Sequence, residues 1–146
     1  ANAVRLARWR GFATLPEPLL AVLHLGYAWV AAGLALLGAG RWLTVLPPSV
    51  ALHALTVGAI GTMTLAVMAR ATLGHTGQPL TAGPGCVAVF VLVTVAAVSR
   101  LGAPFAGDLY PVLLNLSGIV WSGAFGLFAL LFAPLLAGSP LRKAPA

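Results

Sequence analysis

Four apolar runs, each long enough to cross a bilayer, constrain this chain more than any other feature. They lie near residues 18–37, 49–73, 84–101 and 110–136. A transmembrane helix needs roughly 17–25 predominantly apolar residues, and each run meets that length. None shows the period-two alternation of a half-buried strand. Only 7% of residues are charged, whereas a soluble domain carries about 25%. Such a chain cannot cover a water-facing surface, so the bilayer is the expected solvent. The fold class that follows is an all-α membrane protein of four antiparallel transmembrane helices, because every connection between runs is short.

Proline and glycine mark the ends of the runs. Pro16 and Pro18, Pro47 and Pro48, Pro84, and Pro111 stand at the starts, where a missing N–H costs a helix nothing. Gly38, Gly40, Gly74, Gly77 and Gly102 stand at the exits, as helix-terminating glycines do. Glu17 reads as a helix-start residue. Lys and Arg set the orientation. In a four-span chain the N-terminus, the 74–83 loop and the C-terminus share one side, which holds Arg5, Arg8, Arg10, Arg70, Arg142 and Lys143. The other side holds Arg41 and Arg100, with Asp108 nearby. The positive-inside rule then places both termini in the cytoplasm. Residues 1–17 read as a basic interfacial segment, with Trp9 and Phe12 among the arginines, and 138–146 as a basic tail.

The net charge of +6 sits in loops and tails, a pattern that fits anionic lipid headgroups. No basic stripe with interleaved aromatics is present, so nucleic acid is not an expected partner. Cys86 is the single cysteine, which excludes an intramolecular disulfide and any CxxC motif. It reads as a small buried apolar group, and Met63 and Met68 as packing residues. The chain opens on Ala1 rather than Met, as a processed product or a piece of a longer one would, and no signal peptide is read from it. Glu17 and Asp108 are the only acids, so no paired-carboxylate or Ser–His–Asp machinery can be assembled.

The chemistry-bearing residues are three histidines. His53 and His75 bracket the second span, and His24 lies in the first. Imidazole is the commonest metal ligand among side chains, and polar groups within a span are costly and usually functional. A histidine in a span can also simply donate to a carbonyl or a Thr hydroxyl, and for His24 and His53 both readings stand open. His75, in GHTG, reads more readily as a solvated residue at a helix end. At a rise of 1.5 Å per residue, His53 and His75 are about 33 Å apart, and His24 and His53 differ by roughly 14 Å in depth. His53 is therefore not expected to share an ion with His75, nor to face His24 across one haem iron, so at least two sites are expected, each needing ligands from elsewhere.

The helix faces complete the pattern. At about 100° per residue, His53 shares a face with Val57, Ile60 and Thr64, with Thr56 at its edge. Ala54, Gly58, Gly61 and Ala69 form a neighbouring face suited to close helix packing. His24 lies over an alanine stripe of Ala28, Ala31 and Ala35, roomy enough for a helix or a flat macrocycle. In the fourth span Asn115, Gly118, Ser122, Gly126, Ala129 and Ala133 align, which predicts a tight helix–helix seam there. Arg70, on the last turn of the second span, could meet a haem propionate or snorkel to lipid phosphate.

The stretches HLGYAWV around His24 and LPPSVALHALTVGAIGTMTLAVMARATLGHTGQPL, which contains all of the second span, resemble the NnrS family of bacterial inner-membrane proteins. The resemblance covers roughly residues 16–136 and is strongest over 24–82. Family members are considerably longer, and the chain resembles their C-terminal part. The resemblance implies a haem- and copper-containing protein associated with nitric-oxide metabolism, denitrification and tolerance of nitrosative stress. It makes His24, His53 and His75 candidate metal or haem ligands, and Arg70 a candidate cofactor-binding residue. It also implies further transmembrane helices as partners, from the rest of a longer chain or a larger complex. The competing expectation is a non-catalytic accessory subunit packed by its glycine faces against a larger respiratory or photosynthetic complex. A transporter fragment is the weaker third reading, since no inverted repeat or mid-span acid is visible.

Overall fold

The computed structural model describes residues 16–43 and 45–138. The expected interfacial segment, apart from Pro16 and Glu17, and the basic tail beyond Gly138 lie outside the described residues. Within them the chain forms four long helices and, among the described residues, no strand. α1 spans Pro18–Ala39. α2 runs through Pro48–His75, α3 covers Pro84–Gly102 and α4 covers Tyr110–Leu136. All four are long and apolar enough to cross a membrane.

Proline stands at the first turn of each. Glu17 is the N-cap of α1, its carbonyl receiving the Leu20 and Ala21 amides at 2.9 Å. α2 ends at a left-handed glycine, Gly77 (φ 68°). There the Gln78 N–H reaches back to the Leu73 carbonyl at 2.9 Å. This long return bond is the Schellman closure, which satisfies a carbonyl the helix end would leave open.

One core joins all four helices. Leu19 and Val22 of α1 meet Leu65, Ala66 and Ala69 of α2, Val89, Phe90 and Val93 of α3, and Ala124, Phe128 and Phe132 of α4. Phe128 and Phe132 stack with ring centroids 4.5 Å apart. The seam between α1 and α2 is built on glycine. A Cβ at Gly26 would lie 2.5 Å from Met63 Sδ, one at Gly33 would lie 2.6 Å from Leu55, and one at Gly58 would lie 2.7 Å from the Trp29 indole. The predicted glycine face of α2 therefore does receive a neighbour.

The predicted seam on α4 does not. Asn115, Gly118, Ser122, Gly126, Ala129 and Ala133 are all exposed, and a Cβ at Gly118 or Gly126 would meet nothing within 4 Å. α4 packs through Ser117, Ala124, Phe128 and Phe132 instead. The interhelical hydrogen bond expected of Asn115 or Ser122 is made by Ser117, whose hydroxyl donates to the Ala96 carbonyl at 2.8 Å. The physical reason is that large rings seated on small partners bury more apolar area than a small-on-small contact. A row of small residues permits close approach without requiring it.

Candidate functional site

The second helix is not regular. Directly after His53 its hydrogen bonding changes to the i→i+5 pattern of a π-helix over Ala54–Ile60, and α-helix resumes at Gly61. A π turn accommodates an extra residue in an α-helix and is frequent at functional sites. The seam with α1 registers it. A step of seven positions on α1, from Gly26 to Gly33, is matched on α2 by a step of eight, from Met63 to Leu55. The 100° wheel therefore fails across this segment. Ile60, assigned by it to the His53 face, points outward at 62% exposure.

His53 itself is partly buried in a groove between α2, α3 and α4 of about 330 Å³. Thr56 and Val57 of α2, Arg100 of α3, and Ser117, Trp121 and Ser122 of α4 line it. Arg100 stands in the last turn of α3, close enough for its charge to act on His53. Trp121 is braced by Phe125 on the next turn, with centroids 4.3 Å apart. Thr56 donates its hydroxyl to the Leu52 carbonyl at 2.8 Å, and the Ser117 hydroxyl is held by Ala96. Among the described residues neither ring nitrogen of His53 is engaged in a hydrogen bond. The arrangement offers an uncommitted imidazole, a guanidinium and an aromatic wall in one cleft. An imidazole so placed can ligate a metal, and a guanidinium can receive an oxyanion.

The other predicted site residues lie elsewhere. His24 is partly buried on α1, and its Nδ1–H donates to the Leu20 carbonyl at 2.9 Å. That bond fixes the tautomer with the lone pair on Nε2, the pattern of a histidine prepared as a ligand. It is equally the backbone contact expected of a histidine without a metal. Contact between Gly26 and Met63 sets His24 close to the level of Leu65, so it stands about 18 Å along α2 from His53 at 1.5 Å per residue. His75 is exposed as the last residue of α2, and Arg70 is exposed on the turn before it. Arg70 is not beside His53; the arginine in that position is Arg100. Among the described residues no group of three His, Cys, Asp or Glu side chains converges.

Arg100, Ser117 and Trp121 belong to the groove and are not singled out by sequence reading. Arg100 reads there only as a flanking charge that fixes orientation, and Trp121 as one more apolar residue of a span. Their meeting with His53 joins three helices far apart in sequence, and no local pattern carries it. Gly118 and Ser122 are the lining residues of α4 that stood on a predicted face, and they border the groove rather than a helix seam.

The model of the NnrS protein family matches residues 1–139. The chain belongs to the NnrS family. The match extends beyond the stretch of 16–136 over which the sequence resemblance was read, and takes in the N-terminal basic segment. No curated protein and no solved structure matches this NnrS chain. Together with four apolar membrane-length helices, membership makes it a multi-pass membrane protein whose outward helix faces contact lipid.

Proposed function

We propose that this NnrS chain binds haem through His53 and serves nitric-oxide tolerance at the bacterial inner membrane. The observation that carries the reading is the uncommitted imidazole of His53 in a cleft with Arg100 and Trp121. The donor set fits one side of a haem: an imidazole nitrogen, a cation for a carboxylate, and a flat aromatic wall. Haem held there would supply an iron able to bind nitric oxide or pass an electron. The chain's own residues would hold it: His53 through its imidazole, Val57 and Trp121 by shielding it from water, and Arg100 by offering a positive charge. Any further ligand and the rest of the enclosure would come from outside this groove. Further transmembrane helices, from a longer chain or from a partner, supply them and cover the small-residue face of α4.

Copper fits less well. Its sites draw on several nitrogen or sulfur ligands held together, and the described residues bring no three such groups together. His24, His75 and Arg70 are therefore assigned at most single contacts to groups completed by other helices. The test is the absorption spectrum and metal content of the purified full-length protein. A Soret band is expected, lost or shifted in His53→Ala and retained in His75→Ala. A colourless, metal-free preparation overturns the proposal. A preparation that is colourless but co-purifies stoichiometrically with a larger respiratory or photosynthetic complex replaces it with an accessory role.

A further inference from the structure

Arg100 is the unusual group of the groove. It is only partly exposed, at the end of a membrane-spanning helix. The whole chain has two acids, Glu17 and Asp108. Asp108 is exposed in the short turn Gly107–Leu109, and no carboxylate lines the groove. Among the described residues no hydrogen bond or ion pair holds the guanidinium. A cation at a helix C-terminus is favourable towards the helix dipole, but that needs only a surface position. Here the cation shares a recess with an imidazole. A partly buried charge without a partner is costly, so the recess is chemically complementary to an anion. The lining hydroxyls sort accordingly. Those of Thr56 and Ser117 are already committed to backbone carbonyls, while the Ser122 hydroxyl makes no hydrogen bond among the described residues. One fork-shaped cation and one spare hydroxyl lining the same groove offer donors suited to a carboxylate.

We propose that Arg100, assisted by Ser122, is the oxyanion anchor of this groove and that it holds a carboxylate of the porphyrin bound at His53. The assignment rests on the haem reading above and deepens it. It displaces Arg70, which is exposed on α2 away from the groove and is placed to reach lipid phosphate. A lipid phosphate is the other source of an oxyanion at this depth, and the test separates the two.

The full-length protein in nanodiscs of zwitterionic lipid is titrated with haemin and with haemin dimethyl ester, following the Soret band. The ester keeps the iron and the ring but has no charged carboxylates. The unaltered protein is expected to bind haemin at least about tenfold more tightly than the ester, the worth of a charge-assisted hydrogen bond. Arg100→Gln removes that preference by weakening haemin alone, and Arg100→Lys retains part of it. Ser122→Ala reduces it in the same selective way. Equal weakening of both porphyrins by Arg100→Gln, or no change in either, overturns the anchor while leaving the haem reading intact. Absence of a Soret band with either porphyrin in the unaltered protein overturns the haem reading, and the anchor with it. Loss of the haemin preference on adding anionic phospholipid assigns Arg100 to lipid phosphate and overturns the carboxylate assignment.

Discussion

At the scale of single residues, Gly58 decides how closely α1 and α2 approach. Its missing side chain is filled by the Trp29 indole, and a Cβ there would lie 2.7 Å from Cδ2 of the ring. An indole is rigid and cannot yield as the tip of Met63 does at Gly26. Gly126 shares the residue type and the membrane setting, yet a Cβ there meets nothing within 4 Å. The pair separates packing from helix propensity. Gly58→Ala is expected to lose about 1–3 kcal/mol by overpacking. Gly126→Ala is expected to be neutral or to gain up to about 1 kcal/mol, because Ala favours helix over Gly. Unfolding of the two variants in detergent, followed by circular dichroism, measures the difference, and equal behaviour would contradict the seam. The sequence made Gly58 visible as a packing residue. It made Gly126 equally visible, yet no helix of this chain packs there, because a small residue records what a helix can approach and not which neighbour arrives.

At the scale of elements, the π turn of α2 is the feature that residue periodicity could not reveal. Ala54–Ile60 is as apolar as its flanks, and a helical wheel assumes one constant angle. The ends of α2 were legible, because Pro48 and Gly77 act through local backbone geometry. The interruption was not, because it arises where two helices of unequal count must run side by side. The mismatch makes a specific claim about length. Removing one residue from the π segment lets the helix become continuous α-helix while both flanks keep their faces. Deleting Ile60, whose side chain is 62% exposed, is therefore expected to leave the fold and the unfolding transition nearly unchanged. Deleting Val67, 53% exposed but within regular α-helix, turns the flanks against each other by about 100°. That deletion tears Leu65, Ala66 and Ala69 from the core and is expected to abolish folding. Protease resistance of the two deletants in membranes makes the comparison, and equal sensitivity would remove the extra residue from the account of α2.

At the scale of the whole molecule, the order of the helices and the depth of the groove follow from one asymmetry. The connection 76–83, the start of α1 and the end of α4 fall on one side of the bundle, and the connections 40–47 and 103–109 fall on the other. The number of spans was legible because each needs only length and apolarity. The groove was not, because His53, Arg100 and Trp121 come together only when three helices pack. Among the described residues Arg70 lies towards the first side and Arg41 and Arg100 towards the second, and the positive-inside rule, applied to the sequence, gives the expectation that the first side is cytoplasmic. On that expectation the groove, with Arg100 at its rim, opens towards the non-cytoplasmic surface, opposite to His75 and Arg70. Thr81 and Asp108 are exposed residues on the two sides, and Cys86 is buried, so the unaltered chain serves as the unlabelled control. With a membrane-impermeant maleimide applied to intact bacterial cells, Asp108→Cys is expected to be labelled and Thr81→Cys to be labelled only after the membrane is opened. The reverse pattern would put the His53 groove on the cytoplasmic side. It would then leave a haem anchored there facing cytoplasmic rather than external electron donors and nitric oxide.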